Sequence, residues 1–388
     1  MPNKILVVDD EPDLEILLKQ KFRKKIHDKE LEFVFAENGV EALEVLNGDG
    51  EKEIDVVLTD INMPKMDGLT LLENIRNLNR LLSTVIISAY GDMKNIRSAM
   101  NLGAFDFLVK PIDLKDLEIT LDKTIRMSKQ LKKVKTYEEE IQAASVIQRS
   151  ILPQTCPKIS GLNIAAKYIP MDKVGGDFFD FIVTDDNKLG VIVADVAGHG
   201  VPAALVSSMV KIAFSFQTGF ADNPVDVLTN INKILYGKIQ NSFLTACYAY
   251  IDLEAKRMVT AKAAHPPSIL FRPSEKKITH INPSGRIIGW FEIIDCGFEV
   301  TEIQSGDRII IYTDGVTEAF NLSEKIFGEK RLEEIILNSA DLSPSDFIKA
   351  LVDSLCAWSA TDSNNNRVSN TPKQCFEDDA TVVVIDVL

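Results

Sequence analysis

Through the first 125 residues, short apolar runs alternate with stretches whose apolar positions recur every three or four residues. The runs Ile5 to Val8, Phe33 to Phe35, Val56 to Leu58, Val85 to Ile87 and Phe107 to Val109 predict five strands, and Leu14 to Lys24, Val40 to Leu46, Leu69 to Leu78 and Met93 to Leu102 carry helical spacing between them. Strand and helix in strict alternation predict an α/β fold, an open doubly wound parallel sheet of five strands. Ligands of such a sheet bind beyond the carboxyl ends of its strands, and the acids of this segment fall there. Asp9 and Asp10 follow the first strand, Asp60 ends the third, Ser88 ends the fourth, and Lys110-Pro111 closes the fifth.

From Asp113 to Leu152 the pattern changes, with no proline or glycine. Met127, Leu131, Val134, Ile141, Ala144, Ile147 and Ile151 step by three, four or a multiple, which is a stripe along one helix face. Lys129, Lys132, Lys133 and Lys135, followed by Glu138, Glu139 and Glu140, make the rest of the surface charged. Two readings stay open: a solvated spacer helix laid on its own domain, or a short parallel coiled coil joining two protomers. Pro153 ends the helix in either case. The expected organisation is thus a domain over 1–125, a helical linker over 126–153 and a second domain over 154–388.

The second domain has candidate strands at Ile164 to Ile169, Gly190 to Ala194, Thr245 to Asp252, Met258 to Ala264, Ser268 to Arg272, Arg308 to Thr313 and Thr381 to Val387. Pro202 to Phe216, Pro224 to Ile239, Glu329 to Ser339 and Pro344 to Trp358 read as helices, and Phe327 to Leu332 as the start of one of them. Two sheets with helices outside make this half α+β. Its chemistry lies where apolar runs end in aspartate. An acidic turn, Gly175-Gly-Asp177-Phe-Phe-Asp180, leads to a strand ending at Asp195-Val-Ala-Gly-His199-Gly200. Tyr312-Thr-Asp314-Gly-Val-Thr-Glu318 ends another, and Glu377-Asp378-Asp379-Ala-Thr381 opens the last. One Asp-Gly after a strand is as well explained by a hairpin turn. Four such aspartates, Asp177, Asp195, Asp314 and Asp378, suit a hard divalent cation, since magnesium and manganese prefer carboxylate and water oxygens.

Position for position these four motifs resemble the protein phosphatase 2C (PPM) family of metal-dependent serine/threonine phosphatases, in its SpoIIE/RsbU-like bacterial branch of sporulation and stress-response regulators. The resemblance spans about Ser145 to Leu388, opens on Ile147-Gln-Arg-Ser-Ile-Leu-Pro153, and implies a β-sandwich flanked by helices. It implies two Mn2+ or Mg2+ ions, bridged by Asp195 with the Val196 carbonyl as a further ligand. Asp314 and Asp378 would hold the second ion and Asp177 would sit beside the first. Asp379 is left out of that set, because the family aligns the first acid of the pair with the ligand. His199 has two roles open, proton donor to the leaving oxygen or packing residue at a helix start. Where the family tends to have Asn-Ala-Gly-His, this chain has Lys262-Ala-Ala264-His265, and His265 is read as a packed turn residue. Thr361 to Gln374, polar and rich in Ser, Asn and Thr, is expected to loop over the site.

The first domain looks like a response-regulator receiver. The resemblance makes Asp60 the acceptor of a phosphoryl group from a histidine kinase or phosphotransfer protein, with Mg2+ held by Asp9, Asp10, Asp60 and the Asn62 carbonyl. It makes Ser88 and Lys110 the contacts to the phosphoryl group and Phe107 the aromatic switch. Clustered carboxylates need a cation among them, which Lys110 and a metal would supply. The turn Asn62-Met-Pro-Lys-Met-Asp-Gly68 follows the acceptor as the family pattern requires.

Composition narrows the partners. A net charge of −14 argues against a nucleic-acid groove, and no DNA-binding module follows the receiver. No window resembles a signal peptide or membrane span. Five cysteines, Cys156, Cys247, Cys296, Cys356 and Cys375, are scattered and odd in number, as for reduced thiols in a cytoplasmic protein. The expected function is a phosphatase controlled by phosphorylation of Asp60 through the linker helix, acting as a homodimer. By family resemblance its substrate is a phosphorylated anti-anti-sigma-factor type protein in a partner-switching pathway. Two alternatives stand: a catalytically idle phosphatase fold that sequesters a partner, and a small-molecule phosphatase.

Overall fold

The structure, a computed structural model, describes residues 2–48, 54–78, 82–89, 92–361 and 377–388. The chain divides within one long helix into two compact units, Met1–Glu139 and Glu140–Leu388.

In the first unit the order is β1 (Asn3–Val8), α1 (Pro12–Lys21), α2 (Arg23–His27), β2 (Leu31–Ala36), α3 (Gly39–Asn47), β3 (Val56–Asp60), α4 (Gly68–Asn77), β4 (Ser83–Ala89), α5 (Met93–Asn101), β5 (Asp106–Lys110) and α6 (Leu114–Ile151). The five strands form one parallel sheet in the order β2-β1-β3-β4-β5. Alternate side chains feed opposite faces. Ile5, Val7, Leu58, Val85 and Ile87 pack with Leu14 and Leu18 of α1 and with Leu117, Leu121 and Ile125 of α6. Leu6, Val8 and Val57 pack with Ala42 and Leu46 of α3 and Leu71 and Ile75 of α4. A sheet covered on both faces has no polar side, so its strands read as apolar runs. Asn38 and Asp67 cap α3 and α4, their side chains accepting from the backbone N–H groups of Val40 and Glu41, and of Thr70. The single helix expected over Leu14 to Lys24 is two, because Phe22 leaves helical geometry (φ −98°, ψ 16°) as its buried ring meets Phe33 at 5.7 Å.

The helix α6 runs unbroken for 38 residues. Its predicted stripe is not its buried face: Met127, Leu131, Val134 and Ile147 are exposed, while Leu117, Leu121, Ile125, Ser128, Ser145 and Gln148 are buried.

The second unit continues with β6 (Leu162–Ile169), β7 (Phe178–Asp185), β8 (Lys188–Val196), α7 (Gly200–Ser215), α8 (Pro224–Leu235), β9 (Leu244–Asp252), β10 (Arg257–Ala263), β11 (Ser268–Arg272), β12 (Lys277–Ile281), β13 (Phe298–Glu302), β14 (Arg308–Tyr312), α9 (Glu329–Asn338), α10 (Pro344–Ser359) and β15 (Ala380–Val387). Two antiparallel sheets, β13-β10-β9-β8-β7 and β12-β11-β14-β15-β6, face each other. Leu189, Val191 and Val193 of β8 meet Ile309, Ile311 and Val383 between the sheets. Ile192, Ala194 and Val196 turn the other way, into a core with α7 and α8. On the far side, α9 and α10 cover the second sheet through Leu332, Ile336, Phe347 and Leu351. The result is the β-sandwich flanked by helices that the sequence resemblance implied.

Three strands escaped the sequence reading: β7, β12 and β13. Each lies at the edge of its sheet, where a strand needs no continuous apolar run and carries charge. Gly175 to Asp180 is accordingly only in part a turn, since Phe178, Phe179 and Asp180 already belong to β7. The loop expected over Thr361 to Gln374 lies, beyond Thr361, outside the described residues.

Candidate functional site

Each unit gathers acids at one end of its sheet. In the first, the strand order reverses between β1 and β3, the switch point at which doubly wound sheets bind ligands. Asp9 and Asp10 leave β1 there and Asp60 ends β3, with oxygens of all three within 4.8 Å of one another. The Asp9 carboxylate is buried; it accepts the Glu11 N–H at 2.8 Å and Lys110 Nζ at 3.1 Å. Lys110 Nζ also lies 2.5 Å from Asp60 Oδ2 and 3.4 Å from Glu11 Oε2. Burial pushes Asp9 up and Lys110 down, but hydrogen bonds and charge from Asp60 and Asp9 outweigh burial at the lysine and hold it above its ordinary value.

The surrounding residues fit this cluster closely. Asn62 N–H donates to Asp60 Oδ1 at 3.3 Å. The loop after Asp60 folds back so tightly that a Cβ at Gly68 would lie 2.1 Å from the Asp60 carbonyl oxygen, which only glycine avoids. Ser88 follows Ile87, the ladder partner of Asp60, and its buried hydroxyl has no hydrogen-bond partner. Phe107 is three residues before Lys110, hence on the opposite face of β5, and is partly exposed.

In the second unit, Phe178 pairs with Ala194, so the antiparallel ladder carried one step further sets Asp177 opposite Asp195. Asp314 begins the turn after β14, and Asp378-Asp379 lead into β15, the neighbour of β14. The four motifs therefore meet at one end of the sandwich. Asp177 is buried; its Oδ2 accepts the Thr313 hydroxyl at 2.8 Å, while Oδ1 has no hydrogen-bond partner. Asp195 and Asp314 are half-buried, and Asp378 is exposed.

Asp379 behaves differently from Asp378. It is buried and spends its oxygens on backbone: Oδ1 accepts from Met171 N–H at 2.8 Å and Oδ2 from Gly176 N–H and, at 3.5 Å, Asp177 N–H. A Cβ at Gly175 would lie 2.1 Å from Asp379 Oδ2, and one at Gly176 would lie 2.8 Å from the Val196 carbonyl oxygen. The double glycine thus lets this turn press against both the carboxylate and the strand bearing Asp195. A further contact comes from α6: Gln148 Nε2 donates to the Gly175 carbonyl at 2.6 Å, and Gly175 N–H to Gln148 Oε1 at 3.1 Å.

The electrostatics are unbalanced. Burial, then the charges of Asp314, Asp378 and Asp379, push Asp195 up to about 7. Burial and then the Asp195 charge hold Asp177 well above the carboxylate range, and burial followed by Glu318 and Asp378 raises Asp314. No basic side chain among the described residues pairs with any of these carboxylates. Nor do their oxygens converge as tightly as those of Asp9, Asp10 and Asp60, the one acidic group within 4.8 Å among the described residues. An all-oxygen donor set, excess negative charge and an unpartnered buried oxygen fit hard divalent cations.

Of the histidines, His199 is exposed, precedes α7 and makes no side-chain cap bond. His265 is buried, with Nδ1 2.8 Å from Thr245 Oγ1. Sequence reasoning gave Gln148, Thr313 and Thr245 no role. The first two lie in motifs already quoted for the resemblance, so the signal was present; Thr245 carries none.

Receiver sheet and helix-flanked sandwich define a response regulator with a PP2C-type phosphatase fold. The family models agree: a response regulator receiver domain matches residues 5–122, and stage II sporulation protein E (SpoIIE) matches residues 185–388. The chain belongs to the SpoIIE family and carries a receiver domain. Over 218 residues it is 29% identical to phosphoserine phosphatase RsbU of Bacillus subtilis (strain 168), covering 56% of this chain and 64% of that protein. The chain therefore spans less than two thirds of that relative's length. It is 31% identical over 123 residues to sporulation initiation phosphotransferase F of the same organism, covering 32% of this chain and 94% of that one. Among solved structures the SiaA-PP2C domain of Pseudomonas aeruginosa is similar in fold, with a TM-score of 0.56 at 21% identity over 65% of this chain and 97% of that one. Among the described residues, no helix is long and apolar enough to cross a membrane.

Proposed function

We propose that the chain is a metal-dependent protein-serine/threonine phosphatase, a phosphoric monoester hydrolase, whose activity is set by phosphorylation of Asp60 by a histidine kinase or phosphotransfer protein. The observation that carries the reading is the meeting of Asp177, Asp195, Asp314 and Asp378, drawn from four separate motifs, at one end of the sandwich without a basic partner among the described residues. Asp195, Asp314, Asp378 and the Val196 carbonyl are the proposed ligands of two Mn2+ or Mg2+ ions, with Asp177 beside the first. Such a pair, when bound, activates water near neutral pH and neutralises phosphoryl charge. The chain's own contribution is placement. Thr313 holds Asp177, and Asp379 clamps the Gly175-Gly176 turn by its backbone.

In the receiver, Asp9, Asp10, Asp60 and Asn62 would hold Mg2+, with Lys110 and Ser88 receiving the phosphoryl group on Asp60 and Phe107 reporting it. The division of labour is receiver 1–125, linker 126–153 and phosphatase 154–388. The linker is the lever, supported by the paired hydrogen bonds of Gln148 to Gly175 beside Asp177, and the exposed stripe of α6 supports a dimeric coiled coil. The substrate class that fits the relatives is a phosphorylated anti-anti-sigma-factor type protein.

The test is manganese-dependent hydrolysis of an aryl phosphate by the full chain, with and without beryllofluoride to mimic phosphorylated Asp60. Metal-dependent turnover that changes with the mimic is expected. Absence of turnover in both states would leave the catalytic reading without support.

A further inference from the structure

The second unit buries one imidazole to which the reading above gives no task. His265 sits in the turn after β10 and is 2% exposed. Its Nδ1 lies 2.8 Å from the hydroxyl of Thr245, and Thr245 is the cross-strand partner of Asp195 in the β8–β9 ladder. Cross-strand partners project from the same face, with Cβ atoms about 4.5–5.5 Å apart. Val193, two residues before Asp195, points between the sheets, so Asp195 and Thr245 do too. The Nε2 of His265 is buried and makes no hydrogen bond.

The turn is built to hold that ring. Lys262 Nζ donates to the His265 carbonyl at 2.8 Å and also to Asn282 Oδ1. Ala264 is held at φ +52°, left-handed geometry that a residue with a Cβ seldom adopts. Strain of this kind persists only where the surroundings impose it.

Proton accounting gives the arrangement a consequence. A threonine hydroxyl has one proton to donate. In a neutral ring whose proton sits on Nε2, Nδ1 has only its lone pair to offer the Thr245 hydroxyl. Nδ1 then accepts, and the Thr245 proton is directed away from Asp195. We propose that His265 is a positioning residue that takes the only proton of Thr245 and so keeps the Asp195 carboxylate free to hold a divalent cation. This rests on the metal-site reading above.

The experiment is a titration of free Mn2+, followed by electron paramagnetic resonance, on the full chain with Asp9→Asn and Asp10→Asn to silence the receiver. His265→Phe frees the hydroxyl to bond Asp195 and should weaken Mn2+ binding roughly 10-fold, the low end for residues that orient metal ligands. Adding Thr245→Val removes the competing donor and should restore most of that loss, which a packing role for the ring does not predict. Unchanged affinity in folded His265→Phe, or no recovery in the double variant, overturns the proposal. Absence of Mn2+ binding in the parent chain overturns the metal-site reading and the proposal with it. Should Phe at position 265 prevent folding, nitrogen NMR of the imidazole decides. A neutral ring protonated on Nε2 is expected, and protonation on Nδ1 overturns the proposal.

Discussion

The two acidic clusters of this chain solve one electrostatic problem in opposite ways. In the receiver, Asp9, Asp10 and Asp60 crowd within 4.8 Å, and the chain supplies a cation of its own, with Lys110 Nζ 3.1 Å from Asp9 and 2.5 Å from Asp60. In the phosphatase unit no lysine or arginine among the described residues pairs with Asp177, Asp195, Asp314 or Asp378, and burial, then mutual repulsion, pushes Asp177 and Asp195 upward, Asp195 to about 7. A site with a built-in cation can gain a phosphoryl group and lose it again while the protein stays near charge balance. A site whose described residues offer none has room for cations from solution. The first arrangement suits a switch and the second suits a metal enzyme, although both are made of aspartates after apolar strands.

The comparison is most directly broken at Asp195. Asp195→Asn should cut manganese-dependent hydrolysis by roughly 10²–10³-fold or more, the scale of removing one electrostatic element from a preorganised site, and initial rates at saturating Mn2+ would show it. Lys110→Ala makes the receiver resemble the phosphatase cluster by leaving buried Asp9 and Asp60 uncompensated. A stability loss of about 3 kcal/mol is expected, at the lower end for a broken buried pair because Lys110 is partly exposed. Mg2+ should recover part of it in urea denaturation.

A pH series sharpens the contrast. The folded chain holds Asp195 near 7 against 3.8 for the free side chain, so folding favours its protonated form. That contribution is complete below about pH 4 and is lost as pH rises through about 7. In chelator the phosphatase unit should therefore lose stability between about pH 4 and 7, Mn2+ should cancel the loss, and Asp195→Asn should flatten it. Lys110, held above its ordinary 10.5, keeps its charge throughout that window. The smallest effect is at Ala264. Ala264→Gly relieves the φ of +52° and should raise stability by about 1 kcal/mol, measured as a shift in the denaturation midpoint. A loss instead would mean that the turn does not impose that geometry.

How much of this could be seen in the chain alone depended on where each element sits. Strands covered on both faces, such as β3 and β8, announce themselves as apolar runs, and the aspartates at their ends were visible for the same reason. Edge strands β7, β12 and β13 carry charge on their open sides, so the start of β7 reads as a turn and the other two give no strand signal. The linker helix was legible in extent but not in orientation, because a stripe of Met127, Leu131 and Val134 looks the same whether it faces the chain's own core or solvent. The four phosphatase aspartates could be named from their motifs. The different environments of Asp378 and Asp379 could not, since one carboxylate turns out to solvent and the next is spent on the backbone of a glycine turn 203 residues away. Nor could the Thr245–His265 contact, which joins positions that share no motif.

The place of β15 has a consequence for the life of the molecule before it is folded. This strand lies inside its sheet, between β14 and β6, and pairs with β6 along its whole length from Ala380↔Ile169 to Val387↔Leu162. Contacts so distant along the chain close late and slowly, because a large loop must lose its freedom before any pairing repays it. A ribosome must therefore release nearly the entire phosphatase unit before Asp378 can join Asp195, and a nascent or clipped chain lacking β15 would have no assembled acidic cluster.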